Sequence, residues 1–213
     1  MRVAHGLDGQ LLAGPFLSVP DPFEQTSKLQ PILLVGQATR EDWFLSRFKT
    51  NRGKPIHKRV EERLNTTREF LMDPKYNQYK KTDFWRFWKN LKERTGAPVI
   101  WTNLAKIGVK TGKIPYKFQS EQKDLALKTL EAEIEQYKPA LVVFVTGPFL
   151  RLEIIRPFFG MDEDCFNKET KCCSRKQISN SPALLWTFHP RSIRKEMICA
   201  WLDKANALYK AAL

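Results

Sequence analysis

The feature that most constrains the fold is a set of four short apolar runs separated by longer, helix-like stretches. The runs cover residues 32–35, 99–101, 141–145 and 184–188, and each ends at a polar or turn-forming residue. Short runs that do not alternate between apolar and polar residues are typical of strands buried on both faces, as in a parallel sheet. Because the strands alternate with helices, we expect an α/β fold. The expected form is a three-layer α/β/α sandwich with a four-stranded parallel central sheet.

The stretches between the runs have helical periodicity. Residues 121–137 place apolar side chains on one helical face, with Glu and Lys on the other. Residues 83–94 form an aromatic-rich stripe, and Gly96 is well placed to end that helix. We also expect a short helix over 149–156 and a closing helix over 192–212.

Two stretches depart from this alternation. Residues 49–81 are the most basic part of the chain and predict a basic helical insertion. Residues 160–181 are polar, contain three of the four cysteines and show no apolar period, which predicts a long surface loop. We expect one domain that covers residues 1–213.

The charge balance favours a polyanionic partner. The chain carries 36 Lys and Arg against 23 Asp and Glu, a formal net charge of +13. A positive field of this size favours nucleic acid, although it could also serve only solubility. An apolar fraction of 42% excludes an intrinsically disordered chain. No run approaches the ~20 apolar residues that a membrane helix needs, so we expect no membrane association.

The cysteines do not have the spacing of a metal site. A zinc or iron–sulfur site needs paired thiolates at short spacing on two segments, which this chain does not supply. We therefore expect no metal and no cofactor. Adjacent cysteines also fit a disulfide framework poorly, which favours a reducing, intracellular location such as cytoplasm, nucleoid or nucleus. The four cysteines are Cys165, Cys172, Cys173 and Cys199.

Four segments, read in order, resemble the uracil-DNA glycosylase superfamily. They are ILLVGQAT (32–39), PVIWTNLAK (98–106), KPALVVFVTG (138–147) and LWTFHPRS (185–192). The resemblance implies a glycosylase-like fold and a hydrolase of DNA repair. Such an enzyme flips uracil or a related damaged base out of DNA and cleaves its N-glycosidic bond.

The first segment resembles the family loop that positions the attacking water. The resemblance gives Gln37 and Ala38 a place in the water site, and Gly36 a place beside the base. The alternative is an ordinary strand-to-helix turn in which Gly36 supplies conformational freedom. Thr39 stands where the family has proline, and no carboxylate stands at the water-activating position. A general base would be missing unless a carboxylate at 41 or 42 reaches back.

The second segment resembles the family strand that carries the base-reading asparagine. Asn103 matches that asparagine, and its amide has both a donor and an acceptor with which to distinguish bases. The alternative is an ordinary turn or cap residue. The family also stacks an aromatic side chain on the base, for which the candidates are Trp43, Phe44 and Phe48, and Phe48 is taken as the base-binding one.

The fourth segment resembles the family loop whose histidine donates to the base carbonyl as negative charge develops there. His189 takes that role, with a polar-turn histidine as the alternative. Ile193 matches the apolar wedge that fills the gap left by the flipped nucleotide, or it is the first buried residue of the last helix. The remaining residues expected to contact DNA are Lys106, Arg191, Ser192, Arg194 and Lys195.

Three functions remain open from the sequence. The first is an N-glycosylase with Asn103 and His189 in its site. The second is a protein of the same fold that binds DNA or a modified base without cleaving it. The third is a small hydrolase or nucleotide-binding α/β protein unrelated to DNA.

Overall fold

A computed structural model describes residues 12–13, 18, 28–38, 55–74, 77, 79–106, 108–109, 123–147, 155–156, 160, 167, 169–177 and 181–213. The strands within this part of the chain are β1 Leu12–Ala13, β2 Ile32–Ala38, β3 Val99–Ala105, β4 Gly108–Val109, β5 Leu141–Val145, β6 Cys172–Arg175 and β7 Ala183–Thr187. The α-helices are α1 Ile56–Met72, α2 Asp83–Thr95, α3 Lys123–Tyr137 and α4 Lys195–Ala211. Short 3-10 helices cover Tyr79–Lys81 and Pro190–Ser192.

The main sheet has five strands in the order β3-β2-β5-β7-β6. The first four strands of this order are parallel to one another, and β6 pairs antiparallel with β7 at the edge. Strands β1 and β4 form a separate antiparallel pair. The α/β class is therefore confirmed, but the predicted four-stranded parallel sheet is wrong, because the sheet is mixed and has a fifth strand.

The fifth strand lies inside the predicted loop 160–181. Cys172 and Cys173 are each 3% exposed and belong to apolar clusters on opposite faces of the sheet. Neither of the two forms a disulfide with another described cysteine, and both pack as small, mainly apolar side chains there. Two adjacent cysteines followed by Ser174 and Arg175 carry neither alternation nor β-branched residues, so periodicity gave no strand signal.

Helices cover both faces of the sheet. Phe87 of α2 and Trp201 of α4 pack in one apolar cluster with alternate residues of the strands. Leu130 of α3 packs in the cluster on the other face, with Phe144 and Trp186. Full burial of each such side chain contributes about 1.5–3 kcal/mol. The helices and the sheet thus form three layers.

The helix ends follow local sequence signals. Gly96 adopts φ 68° directly after α2, which confirms it as the residue that ends this helix. Helix α4 begins at Lys195, later than predicted, because residues 190–192 form a 3-10 turn first. Of the predicted helix 149–156, only 155–156 is described, and it is helical.

Helix α1 lies within the predicted basic insertion and is attached to the domain by an aromatic contact. Its Phe70 is 2% exposed and packs against Trp85 and Trp101, with ring centroids 5.1 and 6.0 Å away. Among the described helices, none is both long enough and apolar enough to span a bilayer.

Candidate functional site

The strand order places the topological switch point of the sheet at the carboxyl ends of β2 and β5. The chain leaves β2 for β3 on one side and then crosses to β5 on the other side. Ligands of open α/β sheets bind outside the carboxyl ends of the strands at such a switch point. The side-chain Nε2 of Gln37 donates a 2.7 Å hydrogen bond across it to the backbone oxygen of Thr146. Gln37 therefore ties the two strand ends together through its amide nitrogen.

Gly36 and Asn103 are directly paired in adjacent strands. Both lie within strands, since β2 continues to Ala38 and β3 to Ala105. A Cβ atom at position 36 would lie 2.5 Å from Oδ1 of Asn103. Gly36 is therefore required for space rather than for a turn, because only a residue without Cβ leaves room for this amide.

The amide of Asn103 is only partly satisfied. Its Oδ1 accepts a 3.2 Å hydrogen bond from the indole Nε1 of Trp101. Its Nδ2 is buried and finds no hydrogen-bond partner among the described residues. Because an unsatisfied buried donor costs about 1–3 kcal/mol, such an atom in a native fold calls for an explanation, and a ligand is one.

Phe84 connects the Asn103 side of the site to His189. Its ring edge would lie 3.3 Å from a Cβ at Gly36. Its ring stacks with the imidazole of His189, at a centroid distance of 6.5 Å and an interplanar angle of 24°. In the sequence, Phe84 is one member of the aromatic stripe of residues 83–94, and Trp101 is the last residue of the apolar run 99–101. The available signal was their position, one in the first turn of α2 and one two residues before Asn103.

A backbone hydrogen bond fixes the tautomer of the neutral His189 ring. The residue caps the 3-10 turn Pro190–Ser192, and its Nδ1 accepts a 3.2 Å hydrogen bond from the backbone N–H of Arg191. In the neutral ring the proton is therefore on Nε2. This tautomer can donate from Nε2, as stabilisation of a developing anion requires.

The predicted DNA-contacting residues after His189 have different surroundings. Arg191, Arg194 and Lys195 are exposed. Ser192 ends the 3-10 turn. Ile193 is half-buried and packs against the cluster that α2 and α4 share with the sheet. Ile193 precedes α4, which begins at Lys195, so it is not the first buried residue of that helix. Its wedge role stays a prediction.

Lys106 is not on the surface, contrary to the prediction that it contacts DNA. It is 3% exposed, and its Nζ lies 2.8 and 2.9 Å from the carboxylate oxygens of Glu133 in α3. It also donates to Thr102 Oγ1 at 2.6 Å. Burial lowers the pKa of Lys106 below 10.5, and the Glu133 charge opposes that shift. A buried, paired ammonium cannot grip a phosphate.

Lys106, Glu133 and Thr102 form a buried polar cluster that also includes Ser18. Glu133 accepts hydrogen bonds from Ser18 Oγ at 2.8 Å and Thr102 Oγ1 at 2.9 Å. Tyr137 donates to the backbone oxygen of Ser18 at 3.3 Å. Burial raises the pKa of Tyr137 above 10. The buried carboxylate thus has donors from three directions, and the cluster lies on the face of β3 opposite Asn103.

Several predicted residues lie outside the described part of the chain. They are Thr39, Phe48, the carboxylates at 41 and 42, and the aromatic residues at 43 and 44. Cys165 lies outside it as well. Ala38 is described in its backbone, which pairs with Ala105.

Within the described ranges, no three His, Cys, Asp or Glu side chains come close enough to hold a metal ion. No protein-family model matches the chain, and no curated protein has a significantly similar sequence.

Proposed function

We propose that the protein binds DNA and takes a flipped uracil or related damaged base against Asn103, where it hydrolyses the N-glycosidic bond. The observation that carries the proposal is the buried Nδ2 of Asn103, which no described residue satisfies. A base carbonyl would supply the missing acceptor. Such a site needs a polar group that reads the base, an aromatic surface and a histidine donor, and Asn103, Phe84 and His189 would meet these needs.

The chemistry requires stabilisation of a departing base anion. The bond between sugar C1′ and the ring nitrogen breaks, and its electron pair leaves on the base. His189 donates from Nε2 to a base oxygen as charge builds there. Water then adds to C1′, and the proton it releases is taken up by the departing base. The side-chain oxygen of Gln37, whose nitrogen is bonded to Thr146, would orient that water.

Access to Asn103 requires a local displacement. Its Nδ2 has almost no accessible surface, so neighbouring side chains must move aside before a base reaches it. Extrusion of the base from the stack adds a further few kcal/mol. We therefore expect base capture to be slower than initial DNA contact, which the exposed Arg191, Arg194 and Lys195 would make.

A binding protein without catalysis is the second candidate. Among the described residues, no carboxylate hydrogen-bonds to Gln37 or Asn103. Proton abstraction by a positioned carboxylate typically contributes about 10²- to 10⁴-fold in rate. A protein that lacks it would be a slow glycosylase or would retain only base recognition.

The test is single-turnover cleavage of oligonucleotides that carry uracil, hypoxanthine, xanthine or a mismatch, followed by alkaline scission of abasic sites. We expect slow cleavage by the parent and a loss of about 10²- to 10³-fold in His189→Ala. Asn103→Asp should change which base is accepted, because the amide donor becomes an acceptor. His57→Ala is the matched control, since His57 is exposed on α1, and it should keep the parental rate.

The outcomes separate the candidates. A parent that cleaves none of these substrates yet binds one of them preferentially supports the binding protein. A parent with neither activity nor base preference contradicts both. An active parent whose His189→Ala variant is equally fast would refute the role of this histidine.

A further inference from the structure

The orientation of the Asn103 amide is set by a neighbour on its own strand. Trp101 and Asn103 are two residues apart in β3, so their side chains share one face of the sheet. An indole N–H can only donate a hydrogen bond. The Asn103 atom that faces Trp101 Nε1 at 3.2 Å is accordingly the acceptor, Oδ1.

The indole that makes this bond is itself held in place. Trp101 is 9% exposed, and its ring lies 4.8 Å from that of Trp85, 5.9 Å from Phe84 and 6.0 Å from Phe70. Rotation of the Asn103 amide by 180° would bring its NH₂ group against the indole N–H. Two buried donors would then face each other, which removes the hydrogen bond between them.

The geometry points to Trp101 as the positioning residue that sets base specificity, because it fixes the amide so that Asn103 offers only its NH₂ group to a base. A site of this kind takes a base with a carbonyl oxygen at the contacted position. It rejects a base with an exocyclic amine there, since two donors would meet. This inference rests on the proposed function and gives its substrate class as bases in which a carbonyl has replaced an amine.

The test is the ratio of affinities for two oligonucleotides that differ only in one base, uracil or cytosine. Each carries a 2′-fluoro sugar at that nucleotide to resist cleavage, and binding is measured by fluorescence anisotropy at one salt concentration. We expect the parent to prefer uracil. Trp101→Phe keeps an aromatic ring but removes the N–H, and it should lower the ratio by about tenfold.

The ratio of the affinities for the two oligonucleotides distinguishes a positioning role of Trp101 from a packing role. If Trp101 served only to pack the aromatic cluster, Trp101→Phe would weaken binding of both oligonucleotides equally and leave the ratio unchanged. Trp85→Phe is the matched control, because Trp85 packs in the same cluster and should keep the parental ratio. If Trp101→Phe does not fold, Gly36→Ala tests the same bond, since its Cβ would displace Oδ1 of Asn103. It should lower the ratio as well.

Different outcomes would contradict base recognition at Asn103 and the positioning role of Trp101. A parent that binds both oligonucleotides equally contradicts the proposed base recognition at Asn103. A parent that prefers uracil, together with a Trp101→Phe variant that keeps this preference, overturns the inference and leaves the proposed function standing.

Discussion

Replacement of Lys106 by methionine should destabilise the fold by about 3–5 kcal/mol, because it leaves the charge of Glu133 buried without its partner. Lys106 and Glu133 are 3% and 6% exposed, and Nζ lies within 2.9 Å of both carboxylate oxygens. Methionine fills a similar volume, so the loss measures the unpaired charge rather than a cavity. Urea unfolding followed by tryptophan fluorescence gives the free energy of unfolding.

A second substitution tests the reasoning. Lys106→Met combined with Glu133→Gln removes both charges and keeps an acceptor for Ser18 and Thr102. We expect the double variant to recover most of the stability and to lie within about 2 kcal/mol of the parent. Lys89→Met is the control, since Lys89 pairs with Glu93 at 3.6 Å in an exposed pair, and it should change stability by less than about 1 kcal/mol.

The same pair predicts a pH dependence. Because burial lowers the pKa of Lys106 in the folded state, the unfolded chain binds this proton more tightly than the folded chain does. Stability therefore rises with pH between the lowered pKa and 10.5. The free energy of unfolding of the parent, relative to the double variant, should increase as the pH is raised from the lowered pKa towards 10.5. A single variant that costs less than about 1 kcal/mol would refute the assignment of a buried ion pair. A relative stability that falls with pH would contradict the lowered pKa and show that attraction to Glu133 outweighs burial.

Three further predictions concern other parts of the chain. Gly36→Ala should lower stability by about 1–3 kcal/mol, which thermal unfolding would measure, because its Cβ would lie 2.5 Å from Asn103 Oδ1. Lys138→Gly should raise stability by about 0.5–1 kcal/mol in the same assay, because Lys138 adopts φ 45° after α3. DNA affinity should fall steeply with salt, and Arg191→Ala should reduce the slope of log K against log salt by about 1; a flat dependence would contradict DNA binding.

The α/β class was predictable because its signals are local. Four apolar runs bounded by turn residues marked β2, β3, β5 and β7, and Gly96 marked the end of α2. Strand β6 was not predictable in this way, because its burial comes from pairing with β7 at the sheet edge rather than from its own pattern. The class of the fold thus followed from the sequence, and the edge of the sheet did not.

The site was predictable only in part, for a related reason. Gly36 and Asn103 were singled out by sequence, and the structure pairs them. Lys106 was misassigned because its partner Glu133 lies 27 residues away, on a helix that crosses the opposite face of the sheet. Phe84 was missed because a helical stripe of aromatics does not indicate which member touches a neighbouring loop. The catalytic role of His189 stays a prediction.

The two faces of strand β3 have different environments. Asn103 lies on one face, and the side chains of Thr102 and Lys106 lie on the other, bonded to Glu133. A small rotation of the strand therefore displaces both sets of side chains in opposite directions. If Asn103 reads a base as proposed, a random-mutagenesis selection for altered base preference should also recover changes in α3.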